Sequence, residues 1–138
     1  MLLPLPVARV RAMSLENHLA LAAMCNGHGN VDLMTCLIKA LYLTYFMRDA
    51  VQDSDDLALL REAEAALERS VTRVENLQKW SVAEDDRAVV EQTLALYDRQ
   101  LASAPAHRHM DASDRLADFF NSDMRSPIAT GGVANRIA

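Results

Sequence analysis

The sequence predicts an all-α protein, an antiparallel bundle of four to five helices with an extended N-terminal arm and a loose C-terminal tail. The 138-residue chain contains only four glycines and four prolines, and the prolines lie near the ends or between helical segments. The uninterrupted stretches are rich in Ala, Leu, Glu and Arg, which favour helix. Their apolar residues recur at the spacing of three and four that one helix face requires. A chain of this length is expected to form one domain.

The N-terminal arm is predicted over residues 1–13, because Pro4 and Pro6 bias the residues before them away from the helical region. Ser14 suits the N-cap position of a first helix over residues 15–25. The apolar stripe of that helix consists of Leu15, Leu19, Ala22 and Ala23, widened by Leu21 and Met24.

The next segment predicts a helical hairpin. In the sequence NGHGN, Gly27 suits the left-handed position after a helix, and Gly29 permits a second unusual backbone angle. The second helix then covers residues 31–51, and its first part, VDLMTCLIKALYLTYFM, is apolar on nearly every face. Its thin polar stripe consists of Asp32, Thr35 and Lys39, followed by Arg48 and Asp49. Such a helix has to be buried all round.

Two arrangements would bury this helix. In a monomer the other four helices would wrap it completely, whereas in a homodimer a second chain would cover what they leave open. We predict the homodimer, because the aromatic end of the helix is the least protected part and exposed apolar area marks partner sites. The predicted interface consists of Leu37, Leu41, Tyr42, Tyr45 and Phe46.

The third and fourth helices follow a polar break. The third covers residues 56–79, and its single apolar stripe consists of Leu60, Ala63, Leu67, Val71, Val74 and Leu77. Ser81 and Glu84 form a capping box that starts the fourth helix, which runs to Leu101. The inward side of the fourth helix consists of Val89, Val90, Leu94, Tyr97 and Leu101.

A fifth, shorter helix is predicted over residues 112–120, where Asp111 provides the N-cap. Its packing residues are Leu116, Phe119 and Phe120. The single bundle domain therefore covers residues 14–122. Residues 123–138 lack periodicity and contain two adjacent glycines, which indicates a flexible tail.

Composition narrows the function classes. A net charge of −5 and a pI near 5.3 argue against a general polyanion binder, so nucleic acid is not an expected partner. The first residues place their cations after the apolar ones and contain two prolines, unlike a signal peptide. The apolar run 31–47 is at the short limit for a membrane span and contains Asp32 and Lys39. We expect a cytoplasmic protein without membrane contact.

Few residues suggest chemistry. The candidates for metal binding are Cys25, His28 and Cys36, with His18 nearby in sequence, but their spacing does not match a standard zinc site. We therefore predict no metal and no cofactor. The polar cluster at residues 107–111 is expected to be a solvated linker between helices. No nucleophile elbow, phosphate loop or metalloprotease motif occurs, so we predict no catalytic residues and no enzymatic activity.

The opening LPLPVARVRAMSLENHLALAAMCNGHGN, followed by the apolar helix, resembles uncharacterised short helical accessory proteins of proteobacteria. Some of these carry a label as Fis-family transcriptional regulators. The resemblance covers the N-terminal half, and for the labelled members it implies a C-terminal helix-turn-helix with several basic residues. Residues 111–138 contain one short predicted helix and only Arg115, Arg125 and Arg136 as cations, so no binding residue is carried over.

These observations favour a small bacterial regulatory or accessory protein that acts through protein–protein contacts. We expect a homodimer, with an unknown second protein as a further partner. A DNA-associated transcriptional regulator is the alternative, and a metal or small-ligand binder is the third hypothesis.

Overall fold

The computed structural model describes residues 3–48, 54–77, 79–122 and 126–128, and over these residues the chain is all-helical. The five helices are α1 (Val7–Cys25), α2 (Val31–Met47), α3 (Ser54–Leu77), α4 (Glu84–Ser103) and α5 (Ala106–Phe120). The predicted fold class is confirmed. Within the described ranges, no helix combines the length and the apolar character needed to cross a bilayer.

Helix α2 lies at the centre of the bundle and packs against each of the other four helices. Its buried side includes Met34, Leu37 and Leu41, each no more than 2% exposed. The predicted polar stripe is confirmed at Asp32, Thr35 and Lys39, which are exposed, whereas Arg48 is half-buried and Asp49 lies outside the described residues. The chain covers most of this apolar helix by itself. The apolar character of α2 alone no longer argues for a second copy.

In the connection between α1 and α2, the C-terminus of α1 is capped by backbone hydrogen bonds around Gly27. Gly27 has a φ of +80°, its N–H donates to Met24 O at 3.3 Å, and the N–H of His28 donates to Ala23 O at 2.9 Å. These two bonds form a Schellman motif. The expectation of an unusual angle at Gly29 is wrong, because the φ of this residue is not positive. A Cβ there would instead lie 2.6 Å from the Trp80 carbonyl oxygen. This second glycine is required by close packing, not by its backbone angles.

The N-terminal arm is shorter than predicted. Helix α1 begins at Val7 instead of residue 15, and Pro6 is its N-cap. Ser14 is thus inside the helix and is not its cap. The physical reason is that proline restricts the residue before it and can itself precede a helix, and Pro6 O accepts hydrogen bonds from the next turn. Of the predicted arm, only residues 3–6 are described outside the helix.

Helix α5 also begins earlier than predicted, at Ala106 after Pro105. The N–H of Ala106 donates to Leu3 O at 2.7 Å, so the N-terminal segment satisfies a donor of the first turn. The predicted linker at residues 107–111 is therefore helical, and Asp111 is not a cap. Phe120, which we expected to pack inward, is 48% exposed.

Helix α4 begins at Glu84 with Ala83 as N-cap, so the predicted capping box is not formed. The N–H of Val82 instead donates to Met24 O at 3.1 Å, and its side chain is 3% exposed. With Val82 buried in this way, residues 79–83 before α4 are not helical. Ser81 uses its carbonyl to accept a hydrogen bond from Arg73.

The apolar stripes of α3 and α4 are confirmed in part, because their described members Val71, Val74 and Val89 are only half-buried. In α3 the buried members are Leu60, Ala63 and Leu67, whereas the side chain of Leu77 lies outside the described residues. In α4 the buried members are Val90, Leu94, Tyr97 and Leu101. A single regular stripe is enough to predict the buried face of each helix.

Part of the predicted flexible tail packs on the bundle. Ser126 is 6% exposed and donates a hydrogen bond to a carboxylate oxygen of Glu64. Ile128 is 1% exposed and belongs to the core. For these residues the prediction of a loose tail is wrong. The other residues of the predicted tail, 123–125 and 129–138, lie outside the described residues.

The buried position of Ile128 predicts a stability effect. We expect Ile128→Ala to lower the free energy of unfolding by about 2–4 kcal/mol, because it removes buried methyl groups and leaves a cavity. Urea denaturation monitored by circular dichroism would measure the change. Val31→Ala is the matched control, because Val31 is 56% exposed and its substitution should stay within about 0.5 kcal/mol. Equal stabilities of the two variants would contradict the packing of residue 128.

Candidate interaction surfaces

The five predicted interface residues divide into two groups. Leu37, Leu41 and Tyr42 are buried against the chain's own helices, with exposures of 1%, 2% and 7%. They pack in the core of the single chain, so this burial does not favour them as an outer interface, and their role as an interface stays a prediction. Tyr45 and Phe46 are half-buried, and their rings meet edge-on at a centroid distance of 5.4 Å. Only these two remain accessible at the aromatic end of α2.

Tyr42 connects three elements of the core. Its hydroxyl donates to Glu64 Oε2 at 2.7 Å, and its ring lies edge-on to Phe119 at 5.7 Å. The same carboxylate accepts the hydrogen bond of Ser126. Burial, followed by the hydrogen bond to Glu64, raises the pKa of the Tyr42 phenol. Tyr42 thus stays a neutral donor and holds α3 and residue 126 beside α2.

An apolar surface lies on the side of α1 that faces away from the core. Leu15 and Leu19 are 60% and 58% exposed, and Ala8 and Ala12 continue the same stripe towards the N-terminus. We call these four residues the outer face of α1. Their spacing of four, three and four residues is that of the a and d positions of a heptad repeat. Exposed apolar side chains in a contiguous stripe are typical of a partner site.

This outer face was not predicted. We expected Leu15 and Leu19 to belong to the buried stripe, but the core side of α1 consists of Asn17, Ala20, Leu21 and Met24. The apolar residues of α1 surround most of the helix, so periodicity alone does not select the buried side. The sequence contains the heptad spacing, but Ala8 and Ala12 belong to it only because the helix begins at Val7.

A polar cleft of about 380 Å³ separates the exposed edges of α1 and α2. Glu16, Asp32 and Lys39 contribute charges of both signs, and buried Tyr97 lies at its base. The Cys36 thiol lines the cleft and donates to Asn17 Oδ1 at 3.2 Å. Burial raises the pKa of this thiol, so it is a neutral donor at physiological pH and a poor nucleophile.

The weak metal candidates Cys25, His28 and Cys36 do not converge on a common site. Cys25 lies near the charges of Arg87 and Glu84 on α4, whereas Cys36 faces α1. Both cysteines are free thiols. Among the residues that the structure describes, no group of three His, Cys, Asp or Glu side chains is arranged to hold a metal ion.

Two histidines connect α4 to its neighbours. His18 on α1 lies 2.9 Å from Asp98 Oδ2, in a partly exposed ion pair. His109 on α5 is 7% exposed, and its Nε2 is hydrogen-bonded to the Tyr97 hydroxyl at 3.2 Å. Burial, and to a smaller extent the charge of Arg9, lowers the pKa of His109. The buried imidazole is therefore neutral at pH 7.

The lowered pKa of His109 predicts loss of stability in mild acid. The unfolded chain binds this proton at the ordinary pKa of 6.5, whereas the folded chain binds it only at lower pH. The free energy of unfolding should therefore fall as the pH drops below 6.5. Urea denaturation at about pH 7.5 and about pH 5 would measure this loss.

His109→Gln should reduce that pH dependence, because glutamine keeps a polar side chain but does not titrate. His107→Gln is the matched control, since His107 is exposed on the same helix. A His109→Gln protein with the full wild-type loss of stability in acid would contradict the assignment.

Comparison with known proteins assigns no relative to this chain. No protein-family model, curated protein or solved structure matches it. The surfaces described above are therefore the basis for the functional proposals.

Proposed function

We propose that this protein acts without catalysis, through protein–protein contacts, and that it self-associates as a homodimer. The observation that carries the proposal is the outer face of α1, where Leu15 and Leu19 are 60% and 58% exposed. This face replaces the aromatic end of α2 as the proposed interface, because most of the α2 candidates are buried in the chain itself. A regulatory or accessory role is consistent with such a surface.

The residue sizes on the outer face of α1 favour a second copy in antiparallel orientation. When two such helices run in opposite directions, Ala12 faces Leu15 of the other copy and Ala8 faces its Leu19. Each layer then combines one small and one large side chain, so the helices can approach evenly at about 8 Å. A parallel pair would instead stack alanine on alanine and leucine on leucine, and the helices would splay.

The charges beside the stripe support the same orientation. Arg9 and Glu16 are exposed on the side of α1 that borders α2. In the antiparallel pair these two residues face each other across the two-fold axis, and the symmetry repeats the contact. Exposed ion pairs contribute little free energy but favour one orientation over another. The stripe supplies the apolar contact and the flanking charges select its direction.

Substitution of the central leucine should dissociate the homodimer. We expect Leu15→Glu to weaken association at least about tenfold, because the interface would have to bury an unpaired carboxylate. Sedimentation velocity over a range of protein concentrations would measure this change. The interface is small, so we expect a wild-type dissociation constant roughly in the micromolar range.

Met110→Glu is the matched control. Met110 is 63% exposed but lies on α5, so its substitution should leave the dimer intact. A wild-type protein that stays monomeric up to about 1 mM would contradict the proposal. Retention on DNA at moderate salt, lost as the salt concentration rises, would instead favour the DNA-associated regulator.

Disulfide crosslinking would test the antiparallel orientation. With Cys25 and Cys36 replaced by serine, a mixture of Ala12→Cys and Leu15→Cys proteins should form a mixed dimer under oxidation, because these positions face each other. Ala12→Cys alone should crosslink poorly, since its two copies lie on opposite sides of the axis and beyond disulfide reach. The reverse pattern would indicate a parallel pair.

A further inference from the structure

A pocket of about 250 Å³ lies where the end of α2 meets α5. Its lining consists of Phe46, Arg48, Arg108, Asp111, Ala112 and Arg115. The α5 residues recur at the spacing of one helix face, and the α2 residues belong to the accessible aromatic end. The pocket uses none of the residues on the outer face of α1.

The pocket is positively charged, in contrast to the chain as a whole. It contains three guanidinium groups and one carboxylate, whereas the protein has a net charge of −5. Arg108 is held in place because its Nη2 donates to Met47 O at 2.7 Å. The guanidinium of Arg48 lies over the Tyr45 ring, 4.7 Å from its centroid. Two of the three cations are thus oriented by contacts within the protein.

Arg115 is exposed and forms no ion pair with any described residue, and the same holds for Asp111. Because Asp111 does not pair with Arg115, the N–H donors of Arg115 are available to a bound anion. Guanidinium groups bind phosphate and carboxylate through paired, charge-assisted hydrogen bonds. Arg108 and Arg115 lie on the same helix face and can both contact one phosphate monoester, whose three terminal oxygens accept more such hydrogen bonds than the two of a carboxylate.

Phe46 gives the pocket an apolar wall beside these charges. A free inorganic anion would make no use of that wall, whereas an aromatic or apolar group joined to the phosphate would contact it. We propose that the pocket binds a phosphate monoester, with Arg108 and Arg115 contacting the phosphate and Phe46 contacting the organic group.

Calorimetric titration with phenyl phosphate would test this site in a phosphate-free buffer at low salt. We expect binding roughly in the millimolar range, because the ligand is small. Arg115→Gln should weaken it about tenfold, since a charge-assisted hydrogen bond is lost. Arg99→Gln, on the exposed surface of α4, is the matched control and should leave the affinity unchanged.

Two further ligands distinguish the chemistry. Benzoate has the same ring with a single negative charge, and it should bind several-fold more weakly than phenyl phosphate. Inorganic phosphate lacks the ring and should also bind more weakly. Absence of phenyl phosphate binding, an affinity that Arg115→Gln does not change, or equal binding of either comparison ligand would overturn the proposal. None of these results depends on whether the protein is a dimer.

Discussion

The burial of α2 is the constraint on which the rest of the structure depends. Its exposed residues are Val31, Asp32, Thr35 and Lys39, which lie along one narrow strip, so other helices have to cover the remaining sides. Helices α1, α3, α4 and α5 all contact it. The buried Thr44 is satisfied locally, because its hydroxyl donates to Ala40 O and its carbonyl accepts from Gln100 Nε2. The core therefore closes without a second chain.

Because the other four helices cover most of α2, the proposed homodimer is not needed to bury this helix. A helix that is mostly covered within its own chain offers little apolar surface to a partner, and this favours another element for the proposed homodimer. The outer face of α1 is suited to this role because α1 lies at the edge of the bundle, against α2 and α4. A contact of this size favours a reversible dimer over an obligate one. The burial of α2 is therefore the reason for placing the proposed interface on α1.

A structural element can be predicted from the sequence when the residues that determine it are close together in the chain. The buried faces of α3 and α4 follow from a single apolar stripe, and the loop at Gly27 follows from a backbone angle that glycine favours. The sequence pattern predicts starts of α1 and α5 that are too late, because a proline can precede a helix as well as interrupt one. The burial of Ile128 could not be predicted, because Ile128 is not part of a periodic apolar stripe and the core cluster that it joins is formed by distant parts of the chain.

The arginine pocket illustrates the same limit for function. Phe46 and Arg115 are far apart in sequence, and only the packing of α5 beside the end of α2 brings them together. An acidic chain repels anions at long range, although salt screens this effect beyond about 8–10 Å. Attraction at a distance would therefore contribute little to binding at this pocket. Selectivity for the ligand would have to come from direct hydrogen bonds to the guanidinium groups. The orientation of these groups therefore matters more for selectivity than their number.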